Sequence, residues 1–230
     1  MKCFPFRLLV LVLSFSATIT SANGQAGLLA GKKIGLYLSS THFQFDESYN
    51  IPVSQFLRVE EDRSQLGQLR SEFMIRLGEM FSRQLDSLSG ADTVVFLNSD
   101  PGRIRAFRDA YDSEQDSLLR SPKIGLDFVL VISEFDLQTR IHKSVYIQSN
   151  RMITDRIPIM VSRLRITLTD LQNPELRLPV RSCFDDQTSS KPKISFDFYA
   201  AGSPLGKFLS HSFSRWWDLM VAGEREGCAN

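Results

Sequence analysis

Histidine and cysteine are scarce in this chain: its 230 residues hold three of each. His42, His142 and His211 lie far apart, and no Cys-x-x-Cys pair accompanies them. His-Glu-x-x-His helices, paired-cysteine zinc sites and EF-hand loops are thereby excluded, so neither a metal nor a cofactor is expected. A Gly-x-Ser-x-Gly elbow, a Walker loop and a dinucleotide fingerprint are also missing. Charge of one sign is lacking too. Twenty-seven Lys and Arg against 26 Asp and Glu leave a net charge of +1, which gives no field to draw in nucleic acid. With 43% hydrophobic and 23% charged residues, composition excludes a mainly disordered chain, and 13 Gly exclude collagen. Past the amino terminus, no apolar run approaches the roughly 20 residues of a spanning helix. The length fits one domain.

What is present begins at the amino terminus. Lys2 and Arg7 precede the apolar run Leu8–Phe15, and small residues follow at Ala22, Gly24 and Ala26. That is the three-part pattern of a secretory signal peptide, with cleavage after Gly24 or after Ala26. Residues 1–26 are therefore read as a signal peptide and 27–230 as a single exported globular domain, periplasmic or extracellular, with no membrane anchor in the mature chain. Losing Lys2 and Arg7 leaves 25 basic residues against 26 acidic, a net of −1. Of the cysteines, Cys183 and Cys228 stay in the mature chain. Export allows them to bridge, with on the order of 4 kcal/mol from loop closure; two free thiols are the alternative.

The pattern along the chain predicts an α+β domain, α/β-like in its first half, with a mixed sheet and two or three packed helices. Lys33–Leu38 reads as a strand and is followed by a long connection from Ser39 to Glu61. Leu66, Leu69, Phe73, Leu77, Phe81 and Leu85 recur at helical spacing over Gln65–Leu88, and Gly90 suits a left-handed cap. Thr93–Leu97 is a buried-strand run. Asp100-Pro101 opens a second helix, expected to continue toward Leu119. Gly125–Ile132 is the strongest strand signal. Weaker ones follow at Ser144–Gln148 and Arg151–Pro158. Met160–Thr169 alternates, with Val161, Arg163, Arg165, Thr167 and Thr169 on the expected wet face. Leu176–Cys183 pairs back across a turn, Ile194–Phe198 reads as a last strand, and Ser203-Pro204 opens a final helix.

Three stretches carry a family resemblance: Lys32–Leu38 ahead of a long amphipathic helix, Gly125-Leu126-Asp127-Phe128-Val129-Leu130-Val131, and Leu164-Arg165-Ile166-Thr167-Leu168-Thr169-Asp170 before a turn. Over residues 31–221 they resemble the periplasmic domain shared by the TolB amino-terminal module, the curli-secretion lipoprotein and outer-membrane assembly lipoproteins. The resemblance implies a non-enzymatic envelope module whose partner is another envelope protein. The lipoprotein members carry a lipid-bearing Cys after the signal; here Cys3 precedes the apolar run, so no such anchor is expected.

Candidate functional residues are few. Phe43, Phe45, Tyr49 and Phe56 in the long connection, with Trp217, form a candidate partner-binding surface; the alternative is that the connection's aromatics fold under to cover a sheet edge. Trp216 reads as core and Trp217 as half-exposed. Glu134 and Asp136, two apart on a strand, are a candidate acidic pair, with a wet strand end as the alternative. Arg151, Arg156, Arg163 and Arg165 with Lys143 read as a basic stripe or a solvated sheet face. No catalytic residue is assigned. The two functional readings are a non-enzymatic exported accessory or assembly module, and an exported hydrolase or small-ligand-binding protein whose site is assembled from scattered residues.

Overall fold

Strand β1 (Lys33–Leu38) is apolar at every position after Lys33 except Gly35, as a strand covered on both faces must be. The structure, a computed structural model, describes residues 27–39, 42–45, 63–149, 151–187 and 204–228. The expected signal peptide, the expected last strand at Ile194–Phe198 and most of the long connection lie outside the described residues.

β1 is flanked by two parallel neighbours. Ile34 stands opposite Val94 of β3 (Thr93–Phe96) and opposite Phe128 of β6 (Phe128–Gln148). Helix α1 (Arg63–Ser89) makes the crossover between β1 and β3, because parallel strands need a long connection. It buries Phe73, Leu77, Phe81 and Leu85, and Gly90 ends it with φ of 62°. Gly78 sets the approach of α1 to the sheet: a Cβ there would stand 2.1 Å from the ring of Phe96. In the motif around Gly125, Asp127 accepts a hydrogen bond from the backbone N–H of Lys33 at 2.8 Å. That aspartate therefore fixes where β1 starts.

Leaving β3, a short 3-10 turn (Leu97–Ser99) leads into α2 (Pro101–Arg108). Asp100 caps α2 by accepting from Arg103 N–H at 3.0 Å, a bond that holds its carboxyl below the ordinary value. The helix does not continue toward Leu119. It gives way to a small hairpin of β4 (Tyr111–Asp112) and β5 (Ser117–Leu118). The cause is local: the Asp112 carboxylate accepts from the N–H groups of Glu114 and Gln115, a turn that competes with helix.

β6 and β7 (Arg151–Asp170) correct the expectation of several shorter strands. They run 21 and 20 residues and pair antiparallel over their whole length, joined past Ser149. The register slips once, between Ile132 and Glu134, where a bulge sits. Before it, Phe128, Leu130 and Ile132 enter one core while Val129 and Val131 enter another. After it, Phe135 and Leu137 take over the first core and Glu134 and Asp136 turn to the opposite face. The bulge thus absorbs one extra residue and keeps the apolar phase inward.

β8 (Arg177–Gln187) pairs with β7, and the two-residue β9 (Glu226–Gly227) pairs with β8 in parallel. Among the described residues the sheet has seven strands in the order β3-β1-β6-β7-β8-β9, with β2 (Phe43–Phe45) pairing with β6 beside β1. Helices α1 and α3 (Pro204–Ala222) cover one face; Phe81 and Phe213 stack between them at 4.6 Å. α2 and the segment around Ile124–Leu126 cover the other. This is a single α+β domain with a mixed sheet and three helices. Its second cover corrects the expected wet face of β7, because Thr167 and Thr169 are buried there. Cys183 and Cys228 form a disulfide that ties the end of β9 to β8.

Candidate functional site

The bulge builds a polar cleft. β1 pairs with β6 as far as Ile132, the chain leaves, and β2 rejoins β6 at Phe135. Between the two pairings Ser133, Glu134 and Asp136 line one wall of a cleft of about 240 Å³. His42 and Gln44 come from the start of β2, Glu114 and Asp116 from the β4–β5 hairpin, and Arg165 from β7.

Electrostatically the cleft is largely satisfied from within. Glu134 accepts from Arg181 Nη2 at 2.7 Å, which raises the guanidinium above its ordinary value. Asp136 accepts from Gln138 Nε2 at 2.6 Å. Asp116, with φ of 49°, accepts from Tyr111 Oη and from Thr167 Oγ1 at 2.8 Å. Burial and then that bond to Asp116 push the Tyr111 hydroxyl well above its ordinary value. Among the described residues no group of three or more His, Cys, Asp or Glu is placed to hold a metal ion. Glu134 and Asp136 do share a face, and each already has a partner.

The aromatic candidates divide. Phe43 is 2% exposed; it stacks on Phe135 with ring centroids 4.8 Å apart and meets Phe73 at 5.7 Å. Trp217 is 6% exposed, not half-exposed, and packs against Trp216. Both are core residues because β2 and α3 turn them onto the sheet. Phe45 pairs with Leu137 through its backbone; its side chain, with Tyr49 and Phe56, lies outside the described residues.

A feature that sequence reasoning missed stands further along β6. β2 pairs with β6 only as far as Leu137, and β8 pairs with β7 only from Ile159 on. Among the described residues, 141–148 and 151–158 therefore pair only with each other. They form a two-stranded arm about 26 Å long at roughly 3.3 Å per residue. Val145 is 56% exposed, Ile147 76% and Met152 75%, and Tyr146 is exposed as well. Ile147 stands directly opposite Met152, and Val145 lies on the same face two residues away. The face is the one that carries Phe135 and Leu137 into the core at the arm's base, so the apolar stripe outruns the helices that cover it. The available signal was the pairing of two alternating segments around Gln148-Ser149-Asn150-Arg151.

Among known proteins, no family model matches the chain and no curated protein matches it. Two solved structures are similar in part. One is a hypothetical protein from Chlamydia trachomatis, with 14% identity over 84% of this chain and 99% of that one, at a TM-score of 0.36. The other is a neuraminyllactose-binding hemagglutinin homolog from Helicobacter pylori, with 8% identity over 85% of this chain and 84% of that one, at a TM-score of 0.33.

Proposed function

We propose that the chain is an exported, non-enzymatic protein of the bacterial envelope, an accessory or assembly module that engages another envelope component through its arm. Export rests on the amino-terminal pattern of Lys2, Arg7 and Leu8–Phe15. The resemblance of the Lys32–Leu38, Gly125–Val131 and Leu164–Asp170 stretches to TolB-like periplasmic domains supports the envelope setting. The carrying observation is the exposed face of Val145, Ile147 and Met152 on a ribbon that no other described element supports. A two-stranded ribbon is marginal in water and gains by lying on something else. Among the described residues no helix is long and apolar enough to cross a membrane.

The test is recovery of the tagged protein from envelope extract after mild crosslinking, beside an Ile147→Asp/Met152→Asp variant. The reading expects a stoichiometric envelope component with the parent chain and its loss with the variant. Equal recovery with both removes the arm from the function. The second reading, an exported hydrolase or small-ligand-binding protein, draws on the polar cleft, where Glu134 and Asp136 of β6 meet Arg165 of β7. Glu134→Gln and Arg165→Ala test it, since under that reading they abolish ligand binding and leave the crosslinked component in place.

A further inference from the structure

We propose that the arm rests with its Val145–Ile147–Met152 face on an anionic lipid surface. This deepens the reading that the arm is the contact element, and rests on it. The first argument is shape. The arm is a narrow two-stranded ribbon. Among the described residues its face offers three exposed apolar side chains, which fall short of the roughly 800 Å² per partner that a stable protein interface buries. Interfacial membrane binding, by contrast, works through a few inserted side chains together with charge attraction.

The second argument is charge complementarity. Residues 141–158 hold three cations (Lys143, Arg151 and Arg156) and one acid, Asp155, a net of +2. The mature chain carries −1, so everything outside the arm carries −3. The positive charge is therefore concentrated in the arm. Lys143 and Arg151 are exposed. Lys143 shares the face of Val145 and Ile147, so its stem lies along the apolar stripe while its ammonium reaches headgroup level. Arg151 starts from the opposite face, beside Gln148, and both edges of the ribbon are open among the described residues, which leaves room for its side chain to reach round. Cations beside inserted apolar groups fit an anionic headgroup layer.

The experiment is cosedimentation of the protein, expressed from the full sequence and purified after export, with vesicles. One set is equimolar phosphatidylglycerol and phosphatidylcholine; the other is phosphatidylcholine alone. The expected result is binding to the anionic set, weakening as salt rises. It should fall about tenfold or more in Ile147→Asp/Met152→Asp and in Lys143→Glu/Arg151→Glu. These side chains are exposed, so the variants should keep the parent's circular dichroism and melting temperature. Absence of binding to anionic vesicles overturns the proposal, as does equal binding to neutral ones or binding the arm variants do not change. If vesicles fail while the variants still lose a crosslinked envelope protein, the lipid assignment falls and the arm remains the contact element. If the variants change neither, both fall.

Discussion

Arg181 and Glu134 join side chains across the whole width of β7, Nη2 to Oε2 at 2.7 Å, although they belong to strands two apart in the sheet. Arg165 stands between them in register with both, so two arginines lie side by side next to Glu134, with Glu226 beside Arg181 on the far side. Glu134→Gln should therefore destabilise the fold by about 1 kcal/mol, the pair being partly exposed, which is about 2–4 °C in melting temperature for a domain this size. A double-mutant cycle with Arg181→Met should return a coupling of roughly 0.5–1 kcal/mol. A coupling of zero would reduce the pair to a coincidence of geometry.

Phe43→Ala should cost about 3–5 kcal/mol, because its ring fills a buried stack with Phe73 and Phe135. Urea denaturation measures it. A loss below about 1 kcal/mol would return Phe43 to the partner-binding surface, one of the two roles the sequence leaves open.

Deleting Ser133 should be tolerated. In the shortened strand Ile132, Phe135 and Leu137 alternate regularly onto the core face and Glu134 and Asp136 onto the other, so the bulge disappears and the phase stays. A soluble folded protein is expected from the deletion. Ser133→Ala should stay within about 0.5 kcal/mol of the parent. Soluble yield and circular dichroism decide; an unfolded deletion variant would show that the bulge itself is required.

The bridge between Cys183 and Cys228 closes a separation of 45 residues. Its reduction, or Cys228→Ser, should remove about 4 kcal/mol by the loop-closure relation. Denaturation with and without dithiothreitol measures the difference, and coincident curves would mean the bond is absent in solution.

The fold was legible where periodicity was local. β1, the apolar stripe of α1 and the Asp100-Pro101 start of α2 follow from spacing and capping alone. The limits of such reading show at Asp112 and Ile132. Helical spacing through Tyr111 hid the turn that Asp112 makes with Glu114 and Gln115. Along β6 the apolar positions change phase between Ile132 and Phe135, and a strict period of two ends the strand there. The site was less legible than the fold. Glu134 and Asp136 share a face as their spacing requires, but Arg181, the partner of Glu134, lies 47 residues from it, and only sheet topology brings it near. Trp217 was misplaced because burial on a helix depends on how many neighbours surround it, which no single segment states.

The bulge has a consequence for how this protein can vary. Further along, past Arg140 and Ile159, the ribbon has no third strand among the described residues, so the arm can gain or lose residues two at a time from each side while every remaining side chain keeps its face. A single-residue change there inverts the apolar stripe. Relatives should therefore differ in arm length by even steps, with reach as a variable trait on an unvarying body.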